Sequence, residues 1–149
     1  MPLLDGLAAH LAAEELDLGL TYRDDGTPYA DDEVGLAVDQ LPPAPAQVVA
    51  LTGYNAGPEP DSLQSGADEH RVQFRARGDA DPRTSRARLR AIFNVLQGLD
   101  GVTLPDGTYV VLAVALQADP VSIGVDGNGR HEHVQNYRFV IEAPTAHRQ

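Results

Sequence analysis

The sequence predicts an α+β fold: a two-layer domain with two helices packed on one face of a mixed or antiparallel sheet. Three observations carry this prediction. Residues 71–77, RVQFRAR, alternate strictly between polar and apolar, the period-two pattern of a strand with one face on a core. Leu89, Ile92, Phe93 and Leu96 then recur at i, i+3, i+4 and i+7, one apolar helical stripe. Two apolar runs, 47–54 (QVVALTGY) and 108–117 (TYVVLAVALQ), supply strands on which that stripe can lie.

In chain order, residues 3–17 predict a first helix. Leu3, Leu4, Leu7 and Leu11 with Ala8 and Ala12 form its apolar face, and Gly19 ends it. Residues 19–22 open a strand. An Asp-Gly turn at 25–26 and the acidic run 31–33 follow it as surface chain. Residues 34–38 make a weak strand, and Leu41–Pro45, rich in proline, reads as an extended connector. The run 47–54 is a central strand. Residues 55–68, NAGPEPDSLQSGAD, have no periodicity and read as a long exposed loop or arm. After strand 71–77, Asp81 is placed to cap the second helix and Pro82 suits its first position. Gly98 supplies the stop. Burying the four residues of the stripe contributes roughly 1.5–3 kcal/mol each before ordering entropy is subtracted. Asp106-Gly107 is a turn, and 108–117 reads as a mid-sheet strand covered on both faces. Residues 118–129 read as a loop, 130–143 as a final strand and the rest as a tail.

The chain's 149 residues fit one domain, 1–149, with a sizeable core. It contains no cysteine, which excludes disulfides, thiolate metal sites and a cysteine nucleophile. No apolar run approaches the ~18 residues of a membrane span. The acidic N-terminus, without a basic start, does not resemble a secretory signal. The expectation is a soluble protein made and used in a reducing cytoplasm, with no membrane partner.

Charge is unevenly laid out. The net charge of −11 divides into −13 over residues 1–69, where fourteen acids face Arg23 alone, and +2 over residues 70–149. All eleven basic residues are arginine. Such a balance argues against general nucleic-acid binding, which needs a broad positive surface. It suits a subunit whose faces of opposite sign attract copies head to tail.

Candidate chemistry is sparse. His131-Glu132-His133 places two imidazoles on one strand face with Asp126 nearby, a set that a zinc-dependent hydrolase could use, against the plainer reading of surface histidines. Residues 124–129, GVDGNG, are glycine-rich but lie between two strands, with no helix start and no lysine for a phosphate, so they read as a hairpin turn. Asp24 and Asp25 form a turn and Asp81 caps a helix, leaving no carboxylate pair in an apolar setting. No serine lies in a nucleophile elbow. Catalytic residues, cofactor and metal are accordingly assigned as none, and the protein is read as a non-enzyme. Arg71, Arg75 and Arg77 alternate outward on their strand, and Asn136-Tyr137-Arg138 add residue types enriched at interfaces.

The segments EHRVQFRARG at 69–78, Asp81-Pro82, IFNVLQGL at 92–99, LPDGTY at 104–109 and DGNGRHEHVQNY at 126–137 occur in one order. That order resembles the minor capsid proteins of tailed bacteriophages at the head–tail junction, the siphophage tail-terminator type, over roughly residues 47–143. The resemblance implies a homohexameric ring that caps the tail tube, ends its polymerisation and offers a docking face to the head-completion or connector protein. DNA would pass through its lumen without specific binding. It implies a place in the virion at the head–tail junction and no catalytic residues. The arginines expected at a subunit or tube interface are Arg71, Arg75, Arg77, Arg83, Arg86 and Arg90, with Asp31, Asp32 and Glu33 as acceptors. Other readings are a different head–tail connector or head-closure protein, the hydrolase built on Asp126, His131 and His133, and a host-encoded binding module.

Overall fold

A computed structural model of the chain describes residues 2–58 and 67–142. The chain starts with α1 (Pro2–Leu11), and a 3-10 turn at Glu14–Leu16 follows. Next come β1 (Leu20–Thr21), β2 (Val34–Val38), β3 (Val48–Pro58), β4 (Ala67–Arg77) and α2 (Pro82–Leu96). The last four elements are β5 (Asp100–Thr103), β6 (Tyr109–Ala115), β7 (Val121–Val125) and β8 (His131–Glu142). All eight strands form one mixed sheet in the order β1-β2-β3-β4-β8-β6-β5, with β7 paired to β8. β1, β2 and β3 run parallel and every other pair is antiparallel. This is the expected two-layer α+β architecture, of the mixed kind.

β8 is the axis of the sheet. Along its whole length it pairs with β4 on one side, from Ala67↔Glu142 to Arg77↔Glu132. On the other side β6 takes residues 137–141 and β7 takes 131–134, so this edge forks. Direct partners share a sheet face. One face therefore carries Leu36, Val49, Ala76 and His133 in one row, with Leu51, Phe74 and Gln135 beside them. Both helices cover this face, α1 over β2 and β3 and α2 over β4, β8 and β6. Phe74 and Tyr137 meet edge-on at 5.1 Å, and Phe139 lies 5.9 Å beyond, all three fully buried.

α2 forms as its sequence dictates. The Asp81 carboxylate accepts the Arg83 amide at 3.0 Å, Pro82 opens the first turn, and Leu89, Ile92 and Leu96 are buried. Phe93 is only half-buried, and the Arg90 guanidinium lies over its ring at 4.4 Å. Gly78 lets the end of β4 approach the helix closely, since a Cβ there would stand 2.9 Å from the Ser85 amide nitrogen.

Several elements depart from the expectation. α1 ends at Leu11, not near residue 17. The apolar repeat stops at Ala12, and the acids that follow form only a 3-10 turn, with Asp17 left-handed at φ 52°. β3 and β4 run into the segment expected as loop 55–68, to Pro58 and from Ala67, and the remainder of that loop lies outside the described residues. β6 is not covered on both faces, because Val111, at a bulge, and Leu116, just beyond the strand, are exposed. β5 and β7 are further strands, and β7 falls within the stretch expected to be a loop.

Candidate assembly interface

The expected interface arginines fall on two opposite sides of the molecule. Arg71 and Arg75 stand on the face of the sheet that no helix covers, where Arg138 joins them directly across from Arg71. Their own chain partly neutralises them. Arg75 bonds Glu132 at 2.6 Å, while Arg71 and Arg138 each lie 3.7 Å from Glu69. Arg83, Arg86 and Arg90 line the outer side of α2, on the other layer. Arg83 pairs with its own helix cap, Asp81, at 3.1 Å, and Arg90 donates to the Ala118 carbonyl at 2.8 Å. Arg86 is exposed and makes no hydrogen bond or ion pair among the described residues.

Arg77 is a correction. It belongs to the open face by register, but it is only 4% exposed. The parallel link from β2 to β3, residues 39–47, has no helix to satisfy its backbone, and Arg77 supplies the donors. Its Nε bonds the Ala46 carbonyl at 2.8 Å and a terminal nitrogen bonds that of Pro45 at 2.7 Å. This guanidinium holds the loop and is spent within its own chain. Arg88 is likewise turned inward, with a 2.6 Å bond to the Gln47 side chain.

Of the expected acceptors, Asp31 and Asp32 are exposed, but Glu33 is already engaged. Arg23 grips it with two bonds of 2.8 and 3.0 Å, and these, with the Ala30 amide, hold its carboxyl below the usual range. Tyr137, expected at an interface, is instead a core residue. Its strand phase is that of His133, Gln135, Phe139 and Ile141, all buried.

The hydrolase set does not assemble. Asp126 closes the β7–β8 turn. Its Oδ1 accepts the amides of Asn128 and Arg130, both at 2.9 Å, and Arg130 Nε donates to its Oδ2 at 2.7 Å. Those backbone bonds hold its carboxyl low. His133 lies fully buried with Nδ1 2.7 Å from Ser85 Oγ, a tether between β8 and α2. Burial lowers its pKa, and the charges of Arg86 and His131 add to the effect. Among the described residues no group of three His, Asp or Glu is placed to hold a metal ion. No helix among them is long and apolar enough to cross a membrane.

This geometry displays arginines on two outer faces and, among the described residues, gathers no metal-binding group. A family model described as bacteriophage tail terminator protein matches residues 17–143, which covers everything after the 3-10 turn to the end of β8. The chain belongs to the bacteriophage tail terminator family. No curated protein matches it. As a tail terminator it is a structural protein of a phage tail, with its place at the tail's head-facing end. The matched segment contains the whole sheet and α2, and so both arginine faces.

Proposed function

We propose that this tail terminator closes into a ring, a homohexamer, that caps the finished tail tube. The cap ends tube polymerisation and presents a joining surface to the head-completion or connector protein. One observation carries the reading: within a tail-terminator chain, charge is segregated by place in the fold. Residues 14–39, around the β1–β2 edge, hold nine carboxylates and one arginine, whereas α2 holds four arginines and no carboxylate. A surface acidic at one end and basic at another favours heterologous contacts between copies, the kind from which a ring is built when the rotation between copies closes. The two arginine faces then have separate tasks. Arg83, Arg86 and Arg90 face a neighbouring subunit, with Asp31 and Asp32 as acceptors. Arg71 and Arg75, on the open sheet, face the tube. The net charge of −11 keeps DNA from sticking as it passes, because like charge repels phosphate.

The test adds purified protein to polymerising tube protein and measures tube length by electron microscopy. The reading expects arrested growth with a ring on the arrested end. It also expects Arg86→Glu to lose the ring and Arg75→Glu to lose capping, with both variants folded. Undiminished growth in the presence of the protein contradicts it, and retention of DNA by the purified ring at low salt contradicts the passive lumen.

A further inference from the structure

All five large apolar side chains that remain exposed among the described residues belong to one run of chain. They are Val111, Leu116, Val121, Ile123 and Val125, between 38% and 55% exposed. Every residue of β7 is exposed, and among the described residues β7 pairs with β8 and with no other strand, which leaves its outer backbone edge open among them. A bulge opposite Glu132, with Gly124 at φ +107°, turns this edge out of register with the rest of the sheet. An unprotected apolar edge of this kind is an association site unless another chain covers it.

The opposite edge of the same sheet offers a seat. A groove of about 400 Å³ lies between the β1–β2 loop and the link from β2 to β3, walled by Tyr22, Pro28, Tyr29, Val38 and Pro42. Asp24 and Arg23 are both part of its lining, Arg23 being paired with Glu33, and the exposed Asp31 and Asp32 follow on the same loop and make its rim acidic. β7 enters from a loop held by Arg90 of α2, which donates to the Ala118 carbonyl and lies 3.5 Å from the exposed Asp119, and every charged residue of α2 is an arginine. The two edges are thus complementary in both respects, apolar strand to apolar groove and arginine flank to carboxylate rim. In the sheet order five strand spacings separate β1 from β7, roughly 24 Å, so a subunit's own β7 does not reach its own groove.

We propose that β7 of one subunit seats in the groove beside β1 and β2 of the next copy, with Arg86 and Arg90 facing the carboxylates of that neighbour's β1–β2 loop. The contact is heterologous, so each subunit gives one β7 and receives another. It rests on the ring reading and names the surfaces through which the ring closes.

The absence of native cysteine makes the contact directly measurable. Full-length Ile123→Cys and Gln40→Cys proteins, both altered at exposed positions, are prepared separately. They are mixed with tube protein and treated with a short bis-maleimide, which joins two thiols by addition and needs no oxidant. A covalent heterodimer in the mixture, and none in either preparation alone, is the expected result. Self-linking of Ile123→Cys would mean that β7 pairs with β7, and overturns the proposal. So does the absence of any heterodimer, or attachment of β7 to tube protein in a parallel run with an amine- and thiol-reactive linker. Val121→Cys with Thr27→Cys repeats the test if either first variant fails to fold by circular dichroism. Tube length is read in the same samples. Arrest without cross-linking overturns this contact and leaves capping intact, whereas cross-linking without arrest upholds the contact and overturns capping.

Discussion

The β4–α2 unit and the β6–β7 edge have similar raw material and opposite fates. Both present short alternating apolar patterns, RVQFRAR in one and VSIGV in the other. In the first, Val72, Phe74 and Ala76 are fully buried under α2 and against Tyr137. In the second, Val121, Ile123 and Val125 stay about half exposed on an unpaired edge. An apolar side chain buried within its own chain contributes to folding. One left outside contributes when another chain arrives. The difference separates what makes this subunit fold from what makes it assemble.

The sharpest way to break that comparison is to truncate one isoleucine on each side. Ile92→Ala opens a cavity beneath α2 and is expected to cost about 2–5 kcal/mol in denaturant unfolding. Ile123→Ala should change unfolding by no more than about 0.5 kcal/mol and should abolish ring formation by sedimentation. Comparable destabilisation by both variants would show that β7 belongs to the folding core.

The arginines give a second, smaller contrast on one strand. Arg77→Met removes charge-assisted bonds to two loop carbonyls and is expected to cost on the order of 3 kcal/mol. Arg75→Met leaves the buried Glu132 carboxylate without its partner but frees no backbone carbonyl, and is expected to cost about 1–3 kcal/mol in the same unfolding measurement. A third contrast concerns the start of α2, where Asp81→Ala removes the cap and should cost about 1 kcal/mol in thermal unfolding.

The smallest effect is one of pH. Burial favours the neutral form of His133, so the unfolded chain binds its proton more readily than the folded one. Stability from this residue is therefore full above the ordinary histidine value of 6.5 and declines as pH falls below it. His133→Gln should show a shallower fall in melting temperature between pH 7 and pH 5.5 than the native chain. An unchanged slope would place the proton elsewhere. The carboxyls of Asp81 and Asp126, held low by their hydrogen bonds, lose their contributions only at more acid pH.

Much of the fold was legible because it follows local rules. The Asp81-Pro82 cap, the stripe on α2 and the phase of β4 each need only neighbours in sequence. Residues whose role depends on distant contacts were not. Arg77 has the same strand phase as Arg75, and only the path of residues 39–47 across the open face buries it. Glu33 looks like a free acid until Arg23, ten positions earlier, closes on it. Tyr137 was legible from the phase of β8 and was misassigned on residue type alone. β7 carried its alternation openly in VSIGV. Pro120 before it and Asp126-Gly127 after it resemble a continuous loop, and the glycine at 124 weakens the strand pattern.

The account stands most directly on the length of the tails. Phage particles made with and without this protein should be compared by electron microscopy, measuring each tail and imaging its head-facing end. The account predicts overgrown tails of irregular length without the protein, and uniform tails ending in a six-subunit ring when it is supplied. Uniform tails of normal length in its absence would contradict it.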